Sequence, residues 1–270
     1  MDGPPDRNVV KLIRDLQRRK ARERRGLLIA EGRRLVEDAL GSGARVIAVL
    51  AADAVASDPE VERLLGAAAA RKATTEVVPR KDFDALADTD TPSGVLAVIE
   101  WEPLRLDQLP SSDLRLPVAL VIDGVQDPGN VGTMIRTAHA LGAWCTIALD
   151  GTADVRNPKV VRAAMGSTFR HPIAEASWDA FATWADQGDI GILVADATGA
   201  SPHDLAPALP HSGTTARPYA LVVGSEGHGV RAAWSGLEHR RIAIPMPGGA
   251  ESLNAAVAAG ILLHELLRGR

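Results

Sequence analysis

The chain has 270 residues, of which 46% are apolar and only 3% aromatic, and its formal net charge is −4. That length is long for one core and comfortable for two, because domains commonly run to about 100–200 residues. Cores poor in aromatic residues are built from Ala, Val, Leu and Ile, which favours packed α/β layers over an aromatic-rich sandwich. The single cysteine, Cys145, excludes an internal disulfide framework and a cysteine-cluster metal site.

Targeting and metal-binding signals are also missing from the sequence. No signal-peptide core is visible, and no apolar run approaches the roughly 20 residues of a membrane span, so we expect no membrane partner and a cytoplasmic protein. The seven histidines show no pairing at ligand spacing. We therefore expect no metal site.

The first third of the chain alternates predicted helices and strands. Val9, Leu12, Ile13 and Leu16 fall at i, i+3, i+4 and i+7, which predicts an amphipathic helix. Further helices are predicted up to Leu40 and over Pro59–Lys72, between short apolar strands at Leu27–Ile29, Val46–Leu50, Glu76–Val78 and Val95–Ile99. Such alternation over about a hundred residues describes a small α/β domain, which we place at residues 1–102.

Positive charge is concentrated near the N-terminus. Between Arg7 and Arg34 there are eleven Lys or Arg and three Asp or Glu, a local charge of +8, so the rest of the chain sums to −12. Charge runs are usually solvated helix faces, but a basic segment on a mildly acidic protein is the footprint expected of a polyanion binder. We therefore predict that nucleic acid binds here, through Arg18, Arg19, Arg22 and Arg25.

The second half of the chain predicts a larger α/β domain. Pro and Ser punctuate residues 103–117, where periodicity is lost, so we predict a linker there and a second domain at 118–270. Strands are predicted at Val118–Ile122, Thr146–Leu149, Ile190–Ala195, Ala220–Val223 and Arg241–Ile244. Helices are predicted at Val131–Leu141, near Pro158–Met165, and at Trp178–Gln187 and Leu253–Leu267. Near-continuous apolar strands followed by helices indicate a parallel sheet covered on both faces.

Three loops of this second domain share one pattern, an apolar strand that runs into Gly, Pro and small polar residues. They are Asp123–Gly132, which leads to a helix bearing Arg136, then Gly224–Gly229, and then Pro245–Asn254. In a parallel sheet the loops at the carboxyl ends of the strands meet at one edge, where open α/β sheets bind ligands. One such loop is an ordinary connector, but three together predict a binding site.

The residues in these loops identify the chain as similar to a known family. Asn130-x-Gly132 with Arg136, then Gly224-Ser225-Glu226-Gly227, and then Ile244-Pro245-Met246 with Ser252-Leu253-Asn254, resemble the three motifs of the SpoU (TrmH-like) methyltransferases of the SPOUT superfamily. Residues 1–102 resemble the L30e-like substrate-binding domain often fused to them, through Glu31-Gly32 and the segment Thr91–Leu96.

The resemblance implies a fold, a cofactor and an assembly. Family members bind S-adenosylmethionine in a deep trefoil knot formed by the C-terminal loops, and they work as homodimers. General topology rules exclude knots, so this expectation rests on the family alone. By the family pattern, the cofactor-binding residues are Gly224, Gly227, Ile244, Met246, Ser252 and Leu253.

The resemblance also implies the reaction, which is methyl transfer to a ribose 2′-oxygen of RNA. The catalytic residues by this pattern are Arg136, Asn130, Glu226 and Asn254. A guanidinium is effectively never deprotonated in a protein, so we assign Arg136 to orienting the 2′-hydroxyl and the neighbouring phosphate. Asn130 would fix the loop and Arg136, while Glu226 and Asn254 would hold the cofactor loops or the substrate.

The RNA target follows from the extra N-terminal domain, which resembles that of members acting on ribosomal RNA. We therefore expect large-subunit (23S) ribosomal RNA as substrate, with transfer RNA as the alternative. Arg162, in the predicted helix after Pro158, is expected to approach an RNA phosphate from the dimer partner.

Two rival functions come from other classes. A dinucleotide-dependent oxidoreductase would need G-x-G-x-x-G after its first strand, whereas Gly224–Gly229 reads G-x-x-G-x-G and comes late in the domain. A non-catalytic RNA-binding protein would be expected to have lost part of the loop chemistry. All four predicted catalytic residues are present, so we rank the enzyme first.

Overall fold

A computed structural model describes residues 7–111, 117–202, 217–225, 229–231, 234 and 236–268. The chain divides into two compact units. Unit 1 contains the residues up to Glu102 together with Arg156–Arg170, and unit 2 contains Pro103–Val155 and the residues from His171 onwards. The segment Arg156–Arg170 thus belongs to unit 1, although it lies inside the range 118–270 that the sequence assigns to the second domain.

Unit 1 is built on a four-stranded mixed sheet. In the order β1-β4-β2-β3, β4 pairs antiparallel with β1 and β2, and β2 pairs parallel with β3. The strands are β1 (Leu27–Glu31), β2 (Arg45–Ala52), β3 (Thr74–Val78) and β4 (Val95–Glu100). The helices are α1 (Arg7–Leu16), α2 (Arg19–Arg25), α3 (Arg33–Gly41), α4 (Asp53–Ala56), α5 (Pro59–Ala70), α6 (Arg80–Asp84) and α8 (Pro158–Ala163). The predicted small α/β domain is confirmed.

The amphipathic helix predicted at the N-terminus is α1, and its apolar stripe faces the core. Ile13 and Leu16 are fully buried and pack in one cluster with Ile29 and Leu50 of the sheet. The basic run that follows forms a second helix, α2, which ends at Gly26 in the left-handed conformation that glycine adopts without strain (φ +62°).

The returning segment Arg156–Arg170 supplies part of the core of unit 1. Val161 of α8 is fully buried in the cluster that contains Leu28 and Ile99, and Phe169 packs against the same cluster. The Arg170 guanidinium lies 2.7 Å from the Asp38 carboxylate of α3. Apolar burial therefore ties this segment to unit 1.

Unit 2 is built on a six-stranded sheet in the order β10-β8-β9-β5-β6-β7, and every pair in it is parallel. The strands are β5 (Val118–Asp123), β6 (Cys145–Leu149), β7 (Ile173–Ala176), β8 (Gly191–Ala200), β9 (Tyr219–Gly224) and β10 (Arg240–Ile242). The helices are α7 (Pro128–Ala140), α9 (Trp178–Gln187) and α10 (Ala255–Leu267). All six residues of β5 are buried, so the predicted parallel sheet covered on both faces is confirmed.

Capping sets the starts of the two helices next to the loops. α7 begins at Pro128, three residues before the predicted start, because the Asp127 side chain accepts a hydrogen bond from the Asn130 amide and proline suits the first helical position. α10 begins at Ala255, where the Asn254 side chain accepts from the Ala256 and Val257 amides. In the part of the chain that the structure describes, no helix has the length and apolarity to cross a membrane.

Candidate functional site

A cavity of about 310 Å³ lies at the carboxyl ends of β8, β9 and β10. Its walls are mainly apolar or small, and they come from β8 itself and from the ends of β9 and β10 with the loops that follow them. The residues are Ala195, Asp196, Ala197, Val223, Gly224, Ser225, Gly229, Val230, Ile242, Ile244, Met246, Glu251, Ser252, Leu253, Ala255, Ala258 and Leu262. Five of the six residues predicted to bind a cofactor lie here; the sixth, Gly227, is outside the described residues.

The loop after β9 folds back tightly on itself. The Ser225 amide donates to the Gly229 carbonyl at 3.0 Å, and the Gly229 amide donates to the Ser225 carbonyl at 2.8 Å. A Cβ atom on Gly224 would lie 2.1 Å from the Gly229 carbonyl oxygen, closer than any real contact. Position 224 therefore requires glycine because another backbone segment passes against it.

Two asparagines join the first and third loops. The Asn254 Nδ2 donates to the Asn130 Oδ1 at 3.0 Å, while the Asn254 Oδ1 caps the start of α10. The backbone N–H of Asn130 in turn donates to the Asp127 carboxylate at 2.7 Å. Because Leu253 lines the cavity, this amide pair connects the first turn of α7 to the cavity wall.

The carboxyl-terminal half of β8 brings an acid to the cavity that the sequence analysis did not single out. The Asp196 Oδ1 accepts from the Thr198 hydroxyl at 2.7 Å and from the Thr198 amide at 2.8 Å, and the Arg241 guanidinium lies 3.3 Å from its Oδ2. These hydrogen bonds, led by that from the Thr198 side chain, lower the pKa of Asp196. The signal was present, since Ala195-Asp196-Ala197-Thr198-Gly199 repeats the pattern of an apolar strand running into small polar residues.

A partly buried ion pair anchors the region that follows the Gly224–Gly229 loop. The Arg231 Nε donates to the Asp123 carboxylate at 2.6 Å, and its other nitrogens donate to the side chain and carbonyl of Asp150. The Trp234 indole donates to the same Asp123 carboxylate at 2.7 Å. Burial opposes the charge of Arg231, but the hydrogen bonds to Asp123 and Asp150 outweigh it and raise the pKa. Removing Arg231 would leave the buried Asp123 carboxylate without its cationic partner, so this contact fixes the loop.

The remaining predicted catalytic residues occupy different environments. Arg136 lies in the third turn of α7, and its side chain is exposed. None of the contacts among the described residues involves its guanidinium. Glu226 lies outside the described residues.

The predicted RNA-contacting arginines fall into two groups. Arg18, Arg19 and Arg25 are exposed. Arg22 is buried, and its guanidinium donates to the Leu16 and Gln17 carbonyls at the end of α1 at 2.9 Å each. That position does not fit a contact with RNA, because the side chain is committed to carbonyl groups that the helix end leaves unsatisfied.

Arg162, the fifth predicted RNA contact, belongs to unit 1. Its guanidinium lies 3.2 Å from the Asp88 carboxylate, and the side chain is one-third exposed.

The lining of the cavity indicates the chemistry that it can accept. Two carboxylates, Asp196 and Glu251, line it, and no Lys or Arg does so among the residues that the structure describes. A nucleotide phosphate needs cationic or amide donors, whereas a nucleoside with a positive charge fits apolar walls with carboxylates. The dinucleotide of the oxidoreductase alternative therefore fits poorly, and S-adenosylmethionine fits. No group of three or more His, Cys, Asp or Glu in the described ranges is arranged to hold a metal ion.

Comparison with protein families gives two matches that together span most of the chain. The SpoU rRNA Methylase family matches residues 117–264. The MRM3-like substrate binding domain matches residues 7–97.

Individual proteins match over nearly the full length. The chain is 32% identical over 257 residues to the 23S rRNA (guanosine(2553)-2′-O)-methyltransferase RlmP of Bacillus subtilis, with 95% of each chain covered. An AdoMet-bound rRNA methyltransferase from Sinorhizobium meliloti has a TM-score of 0.81 at 30% identity, with 97% of this chain and 95% of that chain covered. The methyltransferase AviRb from Streptomyces viridochromogenes, in complex with the cofactor AdoMet, has a TM-score of 0.81 at 28% identity, with 96% and 97% covered.

Proposed function

Because the chain belongs to the SpoU rRNA methylase family, we propose that it transfers a methyl group from S-adenosylmethionine to a ribose 2′-oxygen of 23S ribosomal RNA. The cavity at the carboxyl ends of β8, β9 and β10 carries this proposal. It is lined by residues of the second and third family motifs, and its carboxylates suit a cationic nucleoside. The cytoplasmic location predicted from the sequence stays a prediction.

The cavity residues would hold the cofactor mainly through backbone groups. Gly224, Ile244 and Leu253 lie in or beside irregular loops whose amides and carbonyls suit an adenine edge, and Leu262 and Val223 offer apolar walls. When bound, S-adenosylmethionine supplies a methyl group already activated by the sulfonium. The remaining task of the protein is to position a poor nucleophile against it.

We assign that task to Arg136, supported by Asn130 and Asn254. A guanidinium keeps its charge and offers five donors in a fixed fork, so it can orient the 2′-hydroxyl and a neighbouring phosphate and stabilise developing negative charge on the oxygen. The amide pair Asn130–Asn254 holds the start of α7 against the start of α10. Glu226, between the Gly224 and Gly229 ends of its loop, is kept as a proposed substrate- or loop-holding residue.

The N-terminal unit supports ribosomal RNA rather than transfer RNA as the substrate. Its match to a substrate-binding domain covers residues 7–97, and the RlmP relative is named as acting on 23S rRNA. Arg18, Arg19 and Arg25 are exposed and remain proposed RNA contacts, whereas Arg22 is not carried forward. Arg162 stays a proposed contact as well, since about a third of its side chain is exposed beside its ion pair with Asp88.

A homodimer and a knotted chain path are also part of the proposal. Val257 and Ile261, one turn apart on α10, are large apolar residues that are 50% and 39% exposed. Apolar residues exposed together mark a contact surface, and we propose a second copy of this chain as the partner. The knot rests on the family resemblance, and it would involve the loops around β9 and β10, after which α10 packs on β5, β9 and α7.

Two measurements test the function. Titration calorimetry with S-adenosylmethionine should show one site per chain, and incubation with 23S rRNA and methyl-labelled cofactor should label the RNA at a 2′-oxygen. Mapping of 2′-O-methyl positions identifies the nucleotide. Cofactor binding with labelling of transfer RNA alone would favour the alternative substrate, and cofactor binding without any RNA labelling would contradict the enzymatic proposal.

A further inference from the structure

A cleft of about 690 Å³ on unit 1 is lined almost entirely by charged side chains of α1, α2 and the turn between them. Five cations and one acid line it, and Leu12 is its apolar member. The charged residues are Lys11, Arg14, Asp15, Arg18, Arg24 and Arg25. Three of these cations, Lys11, Arg14 and Arg24, were not among the predicted RNA contacts.

The acid lies at the centre of the arginines. Asp15 forms ion pairs with Arg18, with Arg24 at 3.4 Å and with Arg25 at 3.0 Å. The Asp15 side chain is only 15% exposed, whereas the side chains of Arg18 and Arg24 are 75% and 66% exposed. The carboxylate is thus covered by guanidinium groups whose remaining donors face solvent.

We propose that Asp15 is a positioning residue that converges Arg18, Arg24 and Arg25 into a cradle for backbone phosphates of the RNA substrate. The inference rests on the proposed function, because it takes the polyanion to be RNA. Each guanidinium has five N–H donors and donates one hydrogen bond to Asp15, so several donors remain for phosphate oxygens. Arginine binds phosphate best in a fixed planar geometry, and a free surface arginine loses side-chain entropy when it is fixed. Holding three of them together before RNA arrives reduces that entropic cost.

The sign of one substitution separates this role from simple electrostatics. Asp15→Asn removes a negative charge from a basic surface, so attraction to RNA should increase if Asp15 is only a neighbour of the arginines. If Asp15 positions the arginines, its replacement by Asn lets the three guanidinium groups repel one another and move apart, and RNA binding should weaken. The two views therefore predict opposite changes in affinity.

The experiment measures affinity of the full chain for in vitro transcribed 23S rRNA across a salt series. Asp15→Asn should weaken binding at least threefold at about 0.1 M salt and lower the salt slope by roughly 0.7–0.9, the value of one phosphate contact. Asp15→Glu keeps the charge and should recover most of the affinity. The matched control is Asp84→Asn, which removes an acid from an exposed ion pair with Arg80 on the same unit and should leave binding unchanged or slightly tighter.

A second variant keeps the proposal testable if Asp15→Asn misfolds, which thermal unfolding reports. Arg24→Gln should reduce both the affinity for RNA and the salt slope. Arg45 is an exposed arginine that pairs with Glu100 outside the cleft, so Arg45→Gln should change affinity and slope only by the small effect of losing one distant charge. If the wild-type chain binds 23S rRNA and both Asp15→Asn and Arg24→Gln keep the wild-type slope, the cradle is overturned. If the wild-type chain itself shows no salt-dependent binding, the RNA substrate of the proposed function fails as well.

Discussion

Arg136 is exposed in the third turn of α7, so its replacement tests chemistry without disturbing packing. Arg136→Ala should lower single-turnover methyl transfer by about 100-fold or more, which is the scale for losing a donor that stabilises developing charge. Affinity for S-adenosylmethionine should stay within about twofold, because the proposed partner of Arg136 is the substrate. Arg136→Lys should remain badly impaired, since a point charge does not reproduce the planar fork.

The control for this prediction is another exposed arginine of unit 2. Arg268 follows the end of α10 and forms a surface pair with Glu265, so Arg268→Ala should methylate RNA at the wild-type rate. Near-normal turnover by Arg136→Lys would contradict the orienting role.

A second prediction at the scale of one residue concerns Gly224 and the shape of the cavity. Gly224→Ala places a methyl group 2.1 Å from the Gly229 carbonyl oxygen, so the loop has to move. Overpacking of this kind costs about 1–3 kcal/mol, which should weaken S-adenosylmethionine binding by about 5- to 150-fold in calorimetry. Gly248→Ala is the matched control, because no atom lies within 4 Å of the added Cβ there. Equal affinities for the two variants would show that the Gly224 loop does not shape the cavity.

The sequence was sufficient to predict which motif residues lie together in the site, but it did not predict the environments of individual side chains. Gly224, Ile244 and Leu253 could be placed together because loops at the carboxyl ends of parallel strands meet. Arg18 and Arg22 look alike in the sequence, but only the packing of α2 on α1 turns Arg22 inward to the Leu16 and Gln17 carbonyls. Burial of a charged residue depends on tertiary contacts, so a run of charges does not reveal which member is structural.

At the scale of elements, most helices and strands followed from their apolar pattern, but three short ones were not predicted. β7 has four residues, and α4 and α6 have four and five. Segments of that length contain too few residues to establish a period of 2 or 3.6. The starts of α7 and α10 shifted because capping side chains decide where a helix begins.

The contact between β6 and His171, two residues before β7, makes stability depend on pH. His171 is buried, with its Nε2 2.9 Å from the Thr146 hydroxyl and its ring 5.8 Å from that of His139. Burial, with a smaller contribution from His139, lowers the pKa of His171 to about 4. In the unfolded chain the pKa is about 6.5, so below that pH the unfolded state binds the proton first. Stability is therefore complete above pH 6.5 and falls as the pH drops towards 4.

Chemical denaturation at two pH values checks this dependence. Between pH 7.5 and pH 5 the wild-type free energy of unfolding should lose about 2 kcal/mol from His171 alone. His171→Gln should be less stable than wild type at pH 7.5, but its free energy of unfolding should not show the part of the decrease towards pH 5 that His171 causes. His264→Gln, which replaces an exposed histidine of α10, should keep it. An unchanged pH dependence in His171→Gln would assign the effect to other groups.

For the whole molecule, the two compact units are not two consecutive stretches of the chain. The chain leaves unit 1 after Glu102, returns to it at Arg156–Arg170, and then continues in unit 2. The sequence predicted a boundary near residues 103–117 from its composition, but α8 has the same kind of pattern as its neighbours in the sequence. Nothing in a six-residue helix specifies which of two sheets it packs against.

Val161 tests this division, because it is fully buried and packs in a cluster with Leu28 of β1. Val161→Ala removes two methyl groups from that cluster and should destabilise it by about 1–3 kcal/mol. In hydrogen exchange of the full chain, the loss of protection should fall on β1 and β4 of unit 1, although residue 161 lies within the range of the SpoU match. Cys145→Ala, in the core of unit 2, is the matched control and should lower protection of β5 and β6 instead. Because stability is local to cooperative units, the two variants should give complementary patterns. Loss of protection in β5 and β6 caused by Val161→Ala would place the segment energetically in unit 2 and contradict the division.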